Sequence, residues 1–181
     1  MATNRCVALL RGINVGGRNP VRMADLKACL EADGHTEVST YIQSGNVLFT
    51  TDAPVKTIEE RLEAALEARF GIPLLVVVRT HRQFRAVVEA APAGFGTEPD
   101  RYHSDAIFLR SPLTATQAMK VVHVRDGVDQ AWPGKGVLYF SRLSAERTKS
   151  KLNKIMGTPE YKQMTIRSWS TTTKLLALLD E

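Results

Sequence analysis

The chain has 181 residues, of which 44% are hydrophobic and 24% charged, with two cysteines and a net charge of +5. Those figures exclude a disordered chain, a collagen-like chain and a disulfide-knotted miniprotein, and they fit one domain or two small ones. No apolar run approaches the ~20 residues that span a bilayer. The start, Met1-Ala2-Thr3-Asn4-Arg5, leads into a short apolar stretch with no small-residue cleavage site, so a cytoplasmic protein is expected.

Strand and helix patterns alternate along the chain. Arg5–Leu10 reads as a strand, followed by a glycine-rich loop and a helix near Met23–Ala32 stopped at Gly34. Thr36–Ile42 places Val38, Thr40 and Ile42 on one face, the alternation of a half-buried strand. Ser44-Gly45-Asn46 is a turn and Val47–Phe49 a second strand, which together predict a hairpin. Pro54 opens a helix with Val55, Ile58, Leu62, Ala65 and Leu66 at helical spacing, ended by Gly71. Leu74–Val78 is a β-branched strand.

Thr80-His81-Arg82-Gln83 has capping-box spacing and starts a connecting helix bearing Phe84, Val87, Val88 and Ala91. Pro92–Arg101, with Gly94, Gly96 and Pro99, is a linker candidate. The order then repeats. Ala106–Leu109 is a strand, and Ser111-Pro112 starts a helix through Met119. Strands near Val128–Trp132 and Val137–Phe140 flank the turn Pro133–Gly136. A helix holds Leu152, Ile155 and Met156, a strand covers Met164–Arg167, and a last helix contains Leu175, Leu176, Leu178 and Leu179.

Each pass is β-α-β-β-α-β, the ferredoxin-like order. The expected fold is therefore α+β: duplicated ferredoxin-like halves with antiparallel sheets, residues 1–80 and 104–181, joined by a connecting helix and linker over 81–103. Val7–Leu10 and Leu74–Val78 are apolar on both faces. One helix layer covers one face, so the other must be buried as well, most simply by the second half or a partner chain.

Cys6 lies in an apolar strand and Cys29 on an apolar helix stripe, which predicts two reduced core thiols. Charge is unevenly placed. Residues 1–90 carry 11 Lys+Arg against 10 Asp+Glu, and residues 91–181 carry 13 against 9. Most of the excess falls between Arg142 and Lys174: Arg142, Arg147, Lys149, Lys151, Lys154, Lys162, Arg167 and Lys174, against Glu146 and Glu160. A solvated lysine-rich face is the primary reading of that cluster, and attraction for phosphates the second.

Several stretches resemble a known family. Ala8-Leu9-Leu10-Arg11-Gly12-Ile13-Asn14-Val15-Gly16-Gly17, Tyr41-Ile42-Gln43-Ser44-Gly45-Asn46-Val47, Tyr139-Phe140-Ser141-Arg142 and Thr165-Ile166-Arg167-Ser168-Trp169-Ser170-Thr171-Thr172-Thr173-Lys174-Leu175 look like the family catalogued as DUF1697. The late motif of that family usually reads Arg-Asn-Trp-Asn-Thr; here Ser168 and Ser170 stand at the two asparagines. The resemblance implies a bacterial cytoplasmic α+β protein with duplicated ferredoxin-like halves and supplies no activity.

Three segments carry candidate chemistry. In Arg11–Arg18, Gly12, Gly16 and Gly17 allow close backbone approach, Arg11 and Arg18 can grip an oxyanion, and Asn14 offers a donor and an acceptor. Ser170-Thr171-Thr172-Thr173-Lys174 opens a helix with Ser170 as its N-cap, three hydroxyls and a cation. In the hairpin turn Gln43-Ser44-Gly45-Asn46, Ser44 and Asn46 join the list. The loop after the first strand and this hairpin are expected at opposite ends of neighbouring strands, and the Ser170 helix start can reach either end.

No P-loop, dinucleotide fingerprint, zinc spacing or paired carboxylate is present, so no metal or cofactor is expected. His35, His81, His103 and His123 read as surface or capping residues, and Trp132 and Trp169 as core-edge residues. Asp126 and Asp129 have no carboxylate partner. The best functional reading is a binder of a phosphate-bearing ligand, a nucleotide or RNA. An aromatic platform for RNA stacking is poorly supported: the first half offers only Phe49, and in the second Lys135–Phe140, with Phe108 on the neighbouring strand, matches such a motif only loosely. The alternatives are an acylphosphatase-like hydrolase, with Arg11 or Arg18 on phosphate and Asn14 or Asn46 orienting water, and a purely structural or interaction protein.

Overall fold

The computed structural model describes residues 2–181 and divides into two compact units. One runs as far as Arg85 and takes in Leu175–Glu181; the other is Ala86–Lys174.

In the first unit β1 (Asn4–Arg11), β2 (Thr36–Tyr41), β3 (Asn46–Thr51) and β4 (Leu75–Thr80) form an antiparallel sheet in the order β2-β3-β1-β4. β1 is central in the sheet, paired with β3 on one side and β4 on the other. Cys6, Ala8 and Leu10 face the core beneath α1 (Met23–Ala32) and α2 (Val55–Phe70), among Val47, Phe49, Leu26, Leu30, Ile58 and Leu62. On the other face Val7, Leu9, Leu48 and Val77 are buried as well. Both cysteines are unpaired and buried, and burial pushes the Cys6 thiol up to about 11 and raises that of Cys29.

Two local departures matter. β2 is broken by a register shift between Thr36 and Ser39, with Glu37 in the left-handed region at φ +49°. Ile42, expected on the strand, lies beyond it at φ +49° and is exposed. The bulge and the turn displace the alternation that would have buried it.

Edge strand β4 would leave main-chain N–H groups unpaired. The carboxylates of α2 take them: Glu59 accepts from Val78 N (3.1 Å) and Glu63 from Val76 N (3.3 Å). The foreseen capping box is present, with Gln83 N donating to Thr80 Oγ1 and Thr80 N to Gln83 Oε1, and it opens α3 (His81–Glu89).

His35 is 5% exposed, with its ring 4.8 Å from that of Phe49 and its Nε2 3.1 Å from Asp33 Oδ2. Burial holds its pKa below the usual 6.5, against the opposing pull of Asp33. A folded-state pKa below the unfolded one means that stability is complete above the unfolded value and is lost as pH falls through the folded one. The melting temperature should therefore fall more steeply between about pH 7 and pH 5 in the wild-type protein than in His35→Leu. Equal slopes would show that His35 titrates alike in both states.

The second unit holds β5 (Tyr102–Leu109), α4 (Ala115–Met119), β6 (Asp129–Pro133), β7 (Val137–Leu143) and β8 (Met164–Ser168), an antiparallel sheet ordered β6-β7-β5-β8. The start of α5 (Trp169–Asp180) follows β8 directly. Ile107, Leu109, Leu138, Phe140 and Met164 pack with Ala118, Leu152 and Ile155. Three expectations are corrected here. α4 starts at Ala115, since Thr114 and Gln117 make the capping box rather than Ser111-Pro112. The helix expected around Leu152 is a run of 3₁₀ segments, Ser144–Lys149, Leu152–Gly157 and Pro159–Gln163. Leu152 and Ile155 are three apart, the period of a 3₁₀ turn, while Met156 is 61% exposed, and Gly157 and Pro159 interrupt any longer helix.

The third correction concerns Phe95, which anchors the otherwise mostly exposed linker candidate Pro92–Arg101. Phe95 is buried edge-on against Trp132, Tyr139 and Trp169, at centroid distances of 5.9, 5.5 and 4.9 Å. Tyr139 Oη donates to Val87 O at 2.6 Å.

Candidate functional site

Arg11–Arg18 and the Gln43–Asn46 turn lie at the same end of the first sheet. The expectation of opposite ends is corrected by antiparallel pairing itself: where β1 finishes, β3 begins. Leu9 is opposite Asn46, and Leu10 N donates to Gly45 O at 2.8 Å. Asn14 ties the two segments. Its Nδ2 donates to Gln43 O (2.8 Å) and Val21 O (3.0 Å), and its Oδ1 accepts from Val21 N (2.8 Å).

The loop is itself a small hairpin. Arg18 N bonds to Val15 O and Asn14 N to Asn19 O, around a turn with Gly16 at φ +56° and Gly17 at φ +76°. Positive φ at both central residues is the type I′ geometry that glycine serves. Asn19 Nδ2 also closes on Gly12 O at 2.9 Å. Asn46 is fully buried, its Nδ2 bonded to Tyr41 O and Ser44 Oγ. The amides of Asn14 and Asn46 thus hold the protein together and do not face an attacking water. Arg11 is half-buried on β1, and Ser44 is exposed. Gly12, Val15, Gly16, Gly17 and Arg18 are exposed.

The third segment is in the other unit. The cap of α5 is Ser168, not Ser170: Ser168 Oγ accepts from Thr171 N at 3.3 Å and donates to Thr171 Oγ1 at 3.0 Å. Serine and asparagine are both good N-caps, so the serine standing at that asparagine of the family motif keeps the capping chemistry. The other threonine hydroxyls bond back to main-chain carbonyls, Thr172 Oγ1 to Ser168 O and Thr173 Oγ1 to Trp169 O. Ser170 and Lys174 are exposed four residues apart.

A polar cluster that the sequence did not reveal lies on the same sheet. Side chains alternate along a strand, so His103 and Asp105 share the face of Ile107 and Leu109. His103 is opposite Arg142, Arg142 is opposite Asp129, and Asp105 is opposite Ser168. His103 Nε2 is 3.2 Å from Asp105 Oδ1, with side-chain exposures of 46% and 7%. Burial pushes the Asp105 carboxyl above its usual range, and His103 and Arg142 pull it back. Asp129 Oδ2 accepts from Arg125 N and Lys151 N, while Asp129 Oδ1 and Arg142 Nε are buried without a hydrogen-bond partner. Of the basic cluster, Arg167 does not belong to the surface. It is 7% exposed, and burial lowers its pKa to about 10. Among the described residues, no group of three or more His, Cys, Asp or Glu is placed to hold a metal ion. Nor is any helix long and apolar enough to cross a membrane.

An α+β chain with two four-stranded antiparallel sheets is the class that this architecture defines. The chain belongs to the family described as protein of unknown function, DUF1697, whose model matches residues 3–139. It is similar in structure to the conserved bacterial protein SP0830 from Streptococcus pneumoniae, with a TM-score of 0.82 and 28% sequence identity. That match covers 98% of this chain and 99% of the other. No curated protein matches the chain.

Proposed function

We propose that the protein binds a phosphate-bearing ligand, a nucleotide or a short RNA, through the first turn of α5, with Ser170, Thr171 and Lys174 as its contacts. One observation carries this reading: Ser170 and Lys174 are exposed one turn apart at a helix start. The first N–H groups of a helix have no acceptor within it and attract anions. The identical strand order of the two sheets supports reading the units as duplicated ferredoxin-like halves, and the two unpaired buried thiols support a reducing, cytoplasmic setting. In the first unit, the same chemistry is left to Arg18 and the exposed Gly16-Gly17 turn.

Phe49, Phe108, Tyr139 and Phe140 are all at 0–1% exposure, so an RNA ligand would be held by its phosphates rather than by stacking on strands. Asn14 and Asn46 are engaged within the fold, which weakens the acylphosphatase-like alternative. Lys174→Ala should reduce affinity for inorganic phosphate by about 1.5–3 kcal/mol, the range for a charge-assisted hydrogen bond, and leave the melting temperature of the free protein unchanged. A ligand that binds only the folded state must raise its stability. If inorganic phosphate, nucleotides and short RNAs all leave the wild-type melting temperature where it was, the proposal fails.

A further inference from the structure

We infer that Arg142 and His103, with Asp105 positioning the imidazole, form the recognition centre for the oxyanion of the ligand, a phosphate or a carboxylate. This deepens the phosphate-binding reading and rests on it.

Arg142 is a half-buried guanidinium whose Nε is enclosed without an acceptor. Guanidinium donors inside a protein are ordinarily matched by carboxylates or carbonyls, because an unmet buried donor destabilises the fold. Neither carboxylate on this face gives the Arg142 Nε an acceptor, although Asp105 feels its charge. Asp129, directly opposite it, turns Oδ2 to the main-chain N–H groups of Arg125 and Lys151, and Asp105 is bonded to His103. What remains is a forked donor whose planar geometry suits a bidentate oxyanion.

His103 supplies the second donor. Directly opposed on β5 and β7, His103 and Arg142 present their side chains on one face. The Asp105 carboxylate, almost fully buried, fixes the imidazole through one nitrogen, and the ring is about half exposed. A carboxylate behind a histidine fixes the orientation of the ring and leaves its other edge to face outward. Ser168, opposite Asp105, carries the chain into the first turn of α5. The cluster and the helix start thus adjoin along one sheet margin.

The test is titration of the isotopically labelled full chain with inorganic phosphate, and separately with acetate, followed by NMR at Arg142 Nε–H, at the His103 ring and at the α5 first-turn amides. Saturable shifts at Arg142 and His103 are expected, with association weakened about ten-fold or more in Arg142→Gln and in His103→Gln. Asp105→Asn should weaken it less, because Asp105 only positions the ring. Shifts with phosphate alone identify a phosphate centre, and shifts with both anions a general oxyanion centre. Shifts confined to the α5 amides overturn this inference and leave the phosphate-binding reading standing. Silence at all three places overturns both. Shifts at Arg142 and His103 without the α5 amides sustain the centre and remove α5 from it. Should Arg142→Gln fail to fold, the wild-type shifts and the His103→Gln affinity decide the matter.

Discussion

Replacement of Phe95 by alanine is expected to destabilise the protein by about 3–5 kcal/mol, the range for truncating a buried aromatic. Phe95 is 9% exposed, and three rings meet it edge-on: Trp132, Tyr139 and Trp169. Edge-to-face contacts add to the burial, and a cavity left among rigid rings has no flexible side chain to refill it. A solvated linker would tolerate the same change within about 0.5 kcal/mol. Trp132 and Trp169 are the only two tryptophans in the chain, and both touch Phe95, so urea unfolding followed by tryptophan emission reads the site directly. A midpoint that does not move would return Pro92–Arg101 to the status of a linker. Gly96 beside it points the same way, since a Cβ there would overlap the Trp169 indole.

Gly45→Ala is expected to cost about 2–5 kcal/mol, from two separate terms. Gly45 has φ +89°, where an L side chain loses about 1–2 kcal/mol. A Cβ on this backbone would also stand 2.9 Å from Leu10 Cβ and 3.0 Å from Ile13 Cδ1. Leu10 Cβ is fixed to the central strand and cannot turn aside, so overpacking adds about 1–3 kcal/mol. Gly17→Ala separates the terms: its φ is +76°, but a Cβ there meets nothing within 4 Å. It should cost about 1–2 kcal/mol. Equal losses in the two variants would mean that the hairpin does not press on β1. A larger loss at Gly45, with faster hydrogen exchange at the Leu10 amide that bonds to Gly45 O, would confirm the tie between hairpin and loop.

Much of the architecture was legible in local pattern. The two-sided apolar runs at Val7–Leu10 and Leu74–Val78 required both faces of the sheet to be covered, and Val7, Leu9 and Val77 on the second face are buried. The Thr80–Gln83 capping box, the stop at Gly71 and both buried thiols followed from residue chemistry that acts within a few positions. The glycine-rich loop and the Gln43–Asn46 turn were also visible as motifs. Their meaning was not. That they meet depends on antiparallel register, and once they meet, the Asn14 amide belongs to the protein instead of a ligand.

What only the tertiary structure decided is long-range in the same sense. The 3₁₀ run between β7 and β8 arises where a three-residue spacing and interrupting glycine and proline meet a sheet that needs only two buried anchors, Leu152 and Ile155. Arg142 and Ser168 stand in family-like stretches that assign them no role, His103 and Asp105 stand in none, and no local spacing joins the four. Strand pairing brings them onto one face, where the Asp105 side chain and the Arg142 Nε are enclosed and the His103 ring stays about half exposed. Local sequence determines which segments become strands, helices and turns, because those preferences act over a few residues. Which side chains then share a face is set by register across the sheet, a property that no single segment carries.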